Sequence, residues 1–343
     1  MTKARLRVAV VNDQTLVIEA LRRTLAGHGH DVAWVARDGE AAVRNCALDR
    51  PDVVLMDLIM PHLDGAEATR RIMATSPCPI LLVTARPDDV ARVYEAMSAG
   101  ALDVVATPAL GRGDDPGTLL LLRKITRLAR LATPSRPRPV VPAPARIGDA
   151  PTLVAVGAST GGPAALARVL EGLGLGLPAA VVLVQHIDVV FADGLATWLE
   201  QRSGFPVRLA LEGKRPEAGT AYLAATSDHL VVDGEGCFHY TAVPANARFR
   251  PSVSVCFSSL AEHWPSPGVA ALLTGMGRDG AEGLARMRAR GWATLAQDEA
   301  SSVVYGMPKA AVELGAVERV LPLDDIAAAI VSRVKRAQEA ARP

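Results

Sequence analysis

Three side chains, far apart in the chain, have the types and settings needed for covalent acyl chemistry. Ser159 lies in the corner Gly157-Ala158-Ser159-Thr160-Gly161-Gly162, between the apolar run 153–156 and a helix-like pattern starting near Pro163. The G-x-S-x-G spacing lifts a serine from the end of a strand, and a helix start beside it offers N–H groups to developing negative charge. Glycine corners also serve as phosphate-binding turns. Here no Walker lysine follows and G-x-G-x-x-G is not matched, so that reading lacks a second support. A nucleophilic serine needs a base, and the chain holds seven histidines. His186 ends the apolar run "AAVVLVQH" with Gln185 before it and Asp188 after it, whereas most of the others read as surface or satisfied core residues. A third group must orient the imidazole. Asp279 closes "VAALLTGMGRDG" (269–280), where it either caps the next helix or completes the relay. A cap leaves Gly275 and Gly277 unexplained; an active site uses them to aim a backbone N–H, such as that of Met276, at an oxyanion. The order Ser–His–Asp differs from the Ser–Asp–His of α/β-hydrolases.

These groups work only if the elements before them end at one rim, and the hydrophobic pattern supplies such elements. Short Val/Leu-rich runs alternate with amphipathic segments on both sides of the proline-dense stretch "PSRPRPVVPAPARIGDAP" (134–151). That alternation predicts an α/β fold with two doubly wound parallel-sheet domains. Proline without hydrophobic periodicity predicts an extended connector. The expected division is 1–133, a linker over 134–150, and 151–343, with a small β-hairpin region around "AYLAATSDHLVVDGEGCFHY". A formal net charge of +1 argues against a nucleic-acid partner, and no apolar run is long enough to insert in a membrane. The four cysteines form no CxxC pair, which argues against a zinc site or disulfide framework and fits a cytoplasmic protein.

The first half reads as a flavodoxin-like unit with apolar runs at 7–12, 31–36, 52–57, 79–85 and 103–108, and a last helix over 118–132. Beyond the carboxyl ends of its strands fall Asn12, Asp13, Asp57, Thr84 and Thr107, and Asp13 with Asp57 offers hard oxygen ligands suited to Mg²⁺. With "LIMPHLDG" after Asp57, residues 5–132 resemble a response-regulator receiver domain. The resemblance implies Asp57 as phosphoacceptor, Asp13 as a direct Mg²⁺ ligand and Thr84 as the switch hydroxyl. Two departures weaken that chemistry: Asn12 stands where the family has an acidic residue, and Thr107 where it has a lysine.

The second half resembles the catalytic domain of chemotaxis protein-glutamate methylesterases over about residues 151–335. The motifs "VGASTGGP", "VLVQHI", "FRPSV", "LLTGMGRDG" and "AQDEASSVVYGMPKAAVELGAV" carry the likeness, and a receiver joined to this domain is that family's architecture. It implies Ser159 as nucleophile, His186 as general base and Asp279 as orienting carboxylate, with Thr160 and Met276 lining the oxyanion site. It further implies hydrolysis of glutamate γ-methyl esters and deamidation of glutamines on methyl-accepting chemoreceptors, without a cofactor. Control would come from a receiver phosphorylated by the chemotaxis histidine kinase. Ser254 departs from the acidic residue expected in "RPSVSV", and "LAATSDH" lacks the family's proline; both are expected at the rim of the site. The rival readings are a methylesterase of a non-motility chemosensory pathway with a pseudo-receiver, and an inactive receptor-binding scaffold. A DNA-binding regulator would need a helix-turn-helix module that the second half lacks. A nucleotide-dependent oxidoreductase would leave the "GMGRDG" turn idle.

Overall fold

Valine-rich runs become the strands of separate parallel sheets in the computed structural model, which describes residues 5–86, 89–108, 116–129, 151–245, 247 and 249–341. The chain divides into two units, Met1–Pro134 and Ser135–Pro343. The proline-dense connector expected over 134–150 lies outside the described residues.

The first unit runs β1 (Arg7–Val11), α1 (Thr15–Gly27), β2 (Asp31–Ala36), α2 (Gly39–Leu48), β3 (Val53–Met56), α3 (Gly65–Thr75), β4 (Ile80–Thr84), α4 (Val90–Ser98), β5 (Asp103–Ala106) and α5 (Pro116–Leu128). Side-chain caps set two of the helix starts: Asp38 accepts from the Ala41 N–H and Asp64 from the Glu67 N–H. The sheet order is β2-β1-β3-β4-β5, with every pair parallel. β3 and β4 are buried along their whole length, as expected of strands covered on both faces by helices. The strand order reverses between β1 and β3, which places Asn12 and Asp57 on either side of the switch point where doubly wound sheets collect ligands.

The second unit runs β6 (Thr152–Ala158), α6 (Gly162–Leu173), β7 (Ala179–Gln185), α7 (Ala192–Ser203), β8 (Val207–Leu209), β9 (Ala221–Leu223), β10 (His229–Val232), β11 (Phe238–Thr241), α8 (Val253–His263), β12 (Val269–Leu272), α9 (Ala281–Ala289), β13 (Ala293–Gln297), α10 (Met307–Glu313), β14 (Arg319–Leu321) and α11 (Leu323–Ala341). Its parallel sheet has the order β14-β13-β12-β6-β7-β9-β8, while β10 and β11 form the separate antiparallel hairpin. The chain winds outward from β6 through β7 in one direction and from β12 through β13 in the other, so β12 and β6 flank this sheet's switch point. Inward residues of β6, β7 and β12 (Leu153, Val182, Leu272) share a buried cluster with Phe257 and Leu260 of α8, which seats α8 on the sheet. Among the described residues, no helix is long and apolar enough to cross a membrane.

Candidate active site

β12, β6 and β7 are neighbours in the sheet, and each ends at one of the three residues singled out or at the loop that carries it. Ala158 pairs with Gln185, so Ser159 and His186, the next residue on each chain, leave adjacent strands at the same level. Main-chain bonds hold the elbow. The Ser159 N–H donates to the Thr274 carbonyl at 3.0 Å, and the Ser159 carbonyl accepts from the Gly162 N–H at 2.7 Å. Gly161 bends the chain into α6 with φ of 76°, a left-handed conformation that a side chain would strain. Pro163 then sits in the first turn of the helix, as its sequence position implies.

His186 Nε2 lies 2.8 Å from Asp279 Oδ2, and both side chains are nearly buried. The ring stacks on Phe249, with centroids 4.3 Å apart and planes within 12°. His186 Nδ1 is buried and has no hydrogen-bond partner among the described residues. With Nε2 committed to a carboxylate, the lone pair of the neutral ring sits on Nδ1. Asp188, a sequence neighbour of His186, instead accepts from the Val190 N–H at 3.3 Å at the start of one 3₁₀ turn.

Asp279 does not cap the helix that follows it. Gly280 occupies that position without a side-chain bond, and the carboxylate meets the N-terminus of α8 instead. Oδ1 accepts from Ser252 Oγ at 2.8 Å and from the Ser254 N–H at 3.1 Å, while Oδ2 accepts from the Val253 N–H at 2.7 Å. Burial alone would raise this carboxyl's pKa. The hydrogen bonds from His186, Ser252 and Ser254 outweigh it and hold the group well below the usual aspartate range. Asp279 is therefore ionised at neutral pH, and the stability it lends is lost only as pH falls into strong acid. Ser254 stands closer to the chemistry than the rim: besides its N–H bond to Asp279, its hydroxyl accepts from the Gly280 N–H at 2.7 Å. A hydroxyl fixes the 279–280 turn there without placing a second negative charge beside Asp279.

Several buried polar residues brace this arrangement. Gln185 Nε2 donates to the Ser159 carbonyl at 2.8 Å and to the His186 carbonyl at 3.2 Å. Thr274 Oγ1 donates to the Thr160 carbonyl at 2.9 Å, and the Thr274 N–H donates to Gln297 Oε1 at 2.8 Å. Thr160 Oγ1 is buried without a hydrogen-bond partner among the described residues, and Met276 is half-buried in the glycine turn. The Ser159 N–H, committed to the Thr274 carbonyl, is not free to serve as the oxyanion donor expected at the helix start. Local spacing marks none of Phe249, Ser252, Thr274 or Gln297, although all four fall within the motifs "FRPSV", "LLTGMGRDG" and "AQDEASSVVYGMPKAAVELGAV".

In the first unit Asp57 is buried, and its Oδ1 accepts from the Leu58 N–H at 2.7 Å. Asn12 is buried beside it and donates Nδ2–H to Asp57 Oδ2 at 2.8 Å. Burial pushes the Asp57 pKa up to about 6, against the pull of the Leu58 and Ile59 N–H groups and with the help of the Asp13 charge. Thr84 is buried with its hydroxyl accepting from the Arg86 N–H at 3.0 Å, and its carbonyl accepts from the Thr107 N–H at 2.8 Å. The buried Lys124 amine does not stand in for a lysine at 107. It bonds Asp103 Oδ1 at 2.7 Å and the Val104 carbonyl at 2.8 Å, at the opposite end of β5.

A flavodoxin-like domain followed by a second parallel sheet with serine, histidine and aspartate after three neighbouring strands is the layout of a two-domain response-regulator hydrolase. The family model described as "CheB methylesterase" matches residues 154–330, and "Response regulator receiver domain" matches residues 8–110. The chain is 51% identical to a Burkholderia orbicola protein named protein-glutamate methylesterase/protein-glutamine glutaminase 3, covering 96% of this chain and 98% of that one. It is 52% identical to a Pseudomonas fluorescens protein named protein-glutamate methylesterase/protein-glutamine glutaminase 1, covering 94% of this chain and 97% of that one. The crystal structure of the Thermotoga maritima CheB methylesterase catalytic domain matches with a TM-score of 0.52 and 32% identity, over 54% of this chain and 99% of that one. The chain belongs to the CheB methylesterase family.

Gly275 shows how tightly the elbow is packed, since a Cβ there would collide with Met307 Sδ and crowd Ser159 Cβ. Replacing Gly275 by Ala is expected to lower stability by about 1–3 kcal/mol, read as a drop in thermal unfolding midpoint. An unchanged midpoint would show that the elbow has room to move.

Proposed function

We propose that the protein hydrolyses glutamate γ-methyl esters on methyl-accepting chemoreceptors, and deamidates glutamines there, through Ser159, His186 and Asp279. The observation that carries this reading is the His186 imidazole itself: one nitrogen faces a carboxylate, and the other is buried without a hydrogen-bond partner among the described residues, one strand away from the serine. As Ser159 Oγ attacks the ester carbonyl carbon, His186 Nδ1 takes its proton. The imidazolium that forms is stabilised by Asp279, itself held by α8. N–H groups after Ser159 and near Met276, with the Thr160 hydroxyl, receive the oxyanion. Collapse expels the alkoxide, which leaves as methanol with the proton from Nδ1. Water then attacks the glutamyl ester by the same route and frees the carboxylate and Ser159. For a glutamine side chain the leaving group is ammonia.

Control is assigned to the receiver, with Asp57 as the group phosphorylated by the chemotaxis kinase and residues 134–150 as the connector between the halves. The carboxylates of Asp13 and Asp57 fit Mg²⁺, a hard cation that binds through one or two carboxylates and keeps several waters. Bound there, it would neutralise charge on the incoming phosphoryl group. Asp57 supplies the attacking oxygen, and Thr84 turns its hydroxyl from the Arg86 N–H toward the phosphate. Asn12 weakens this chemistry in two ways: it removes one negative charge from the cation site, and its amide occupies Asp57 Oδ2. Thr107 offers a hydroxyl where a full positive charge would pair with phosphate.

Two sets of variants test these assignments. Ser159→Ala should abolish methanol release from a methylated receptor fragment with an unchanged unfolding midpoint. Asp279→Asn should lower kcat by about 10⁴-fold, since an amide there favours the wrong tautomer. Retained turnover in Ser159→Ala would refute the nucleophile. For the receiver, a small acyl phosphodonor with Mg²⁺ should add phosphate to Asp57, detected by mass, and Asn12→Asp should raise the yield. No label on Asp57 in either protein would exclude the phosphoacceptor role.

A further inference from the structure

His229 is a fully buried histidine that the proposed reaction does not use. It opens β10 on the small hairpin, yet its ring reaches the chain that holds the catalytic carboxylate. His229 Nδ1 accepts from the Ser252 N–H at 3.1 Å, and Nε2 lies 3.3 Å from the Pro244 carbonyl. A carbonyl can only accept, so Nε2 carries the proton and Nδ1 the lone pair. Ser252 is the N-cap of α8, and its own N–H precedes the helix. Ser252 is itself buried, so without an acceptor that N–H would be stranded away from water. The hairpin supplies the acceptor.

What His229 grips is the first residue of the segment 252–254, whose three donors hold Asp279. We infer that His229 is a positioning residue for the esterase reaction: by accepting the Ser252 N–H it fixes the cradle that aims the Asp279 carboxylate at His186. This rests on the function proposed above. The polar contacts run in one line, from the Pro244 carbonyl through His229, Ser252 and Asp279 to the His186 imidazole. A second tie, from the Val232 N–H to Ser259 Oγ at 3.1 Å, holds β10 against α8 further along and keeps the ring in register with the cap. Burial, with Arg250 nearby, keeps the imidazole in the neutral form that the Ser252 N–H requires, against the opposing influence of the Pro244 carbonyl, Asp279 and Asp228.

The two ring contacts can be separated by substitution in the full-length chain. His229→Asn places an amide oxygen near the position of Nδ1 and keeps the acceptor for Ser252, but does not reach Pro244. His229→Gln reaches Pro244 and leaves the Ser252 N–H without its acceptor. Measured by methanol release from a methylated receptor fragment, H229N keeps most of the wild-type kcat. H229Q loses on the order of 10²-fold in kcat with KM unchanged, as expected when a reacting group is misaligned. Unfolding midpoints of the two variants fall by similar amounts. If H229Q does not fold, H229A makes the same comparison, with the same loss of kcat. Equal kcat in the Asn and Gln variants, or a loss that merely follows stability, overturns the inference. A wild-type chain that releases no methanol overturns the esterase reading and this inference with it, whereas an active wild type with indistinguishable variants overturns this inference alone.

Discussion

A buried carboxylate facing one nitrogen of an imidazole is the contact around which the second domain is organised. Burying a charge is expensive unless hydrogen bonds replace the lost water. Asp279 meets that condition with donors from Ser252, Val253, Ser254 and His186, and with the start of α8, whose dipole favours negative charge. The aspartate thereby serves two ends. It anchors the glycine turn after β12 to α8, and it determines which face of His186 can take a proton. Phe249 stacks on the ring and holds its plane, so little rotational freedom remains in the imidazole.

Everything else at this rim keeps that geometry in step with the serine. β6 lies between β12 and β7, so Ser159 emerges between the loop that carries Asp279 and the strand that ends before His186. Gln185 ties the Ser159 and His186 carbonyls together on one side. On the other, Thr274 receives the Ser159 N–H, bonds the Thr160 carbonyl and is held in turn by Gln297. Side chains from the ends of three strands, β7, β12 and β13, thus brace the elbow at the end of β6 before any substrate arrives, the kind of preorganisation that electrostatic catalysis requires. The receiver uses the same architectural rule with a different outcome. Its switch point gathers Asn12 and Asp57, where the Asn12 amide donates to the Asp57 carboxylate.

The fold was legible because both sheets are parallel and buried, so their strands read as continuous Val/Leu/Ile/Ala runs. The run at 31–36 matches β2, the run at 103–108 contains β5 and overshoots it by two residues, and the glycine corner after "TLVAV" marks the turn from β6 into α6. The candidate site was legible where a residue's position follows from a strand end, as with Ser159, His186 and the loop bearing Asp279. It was not legible where the role depends on a partner distant in the chain. Asp279 looks like the cap of α9 because α9 comes next, yet the helix start that it meets belongs to α8, whose first residue is 26 positions earlier. Ser254 reads as a rim residue and is bonded to Asp279 and Gly280. His229 reads as an ordinary core histidine, and only the folded hairpin shows what its lone pair accepts.

The tautomer of His186 tests the central claim most directly. In uniformly ¹⁵N-labelled protein at neutral pH, the account predicts a protonated, pyrrole-like Nε2 facing Asp279 and an unprotonated, pyridine-like Nδ1. A proton found on Nδ1 with Nε2 bare would leave the ring unable to receive the serine proton where it is needed, and would contradict the account.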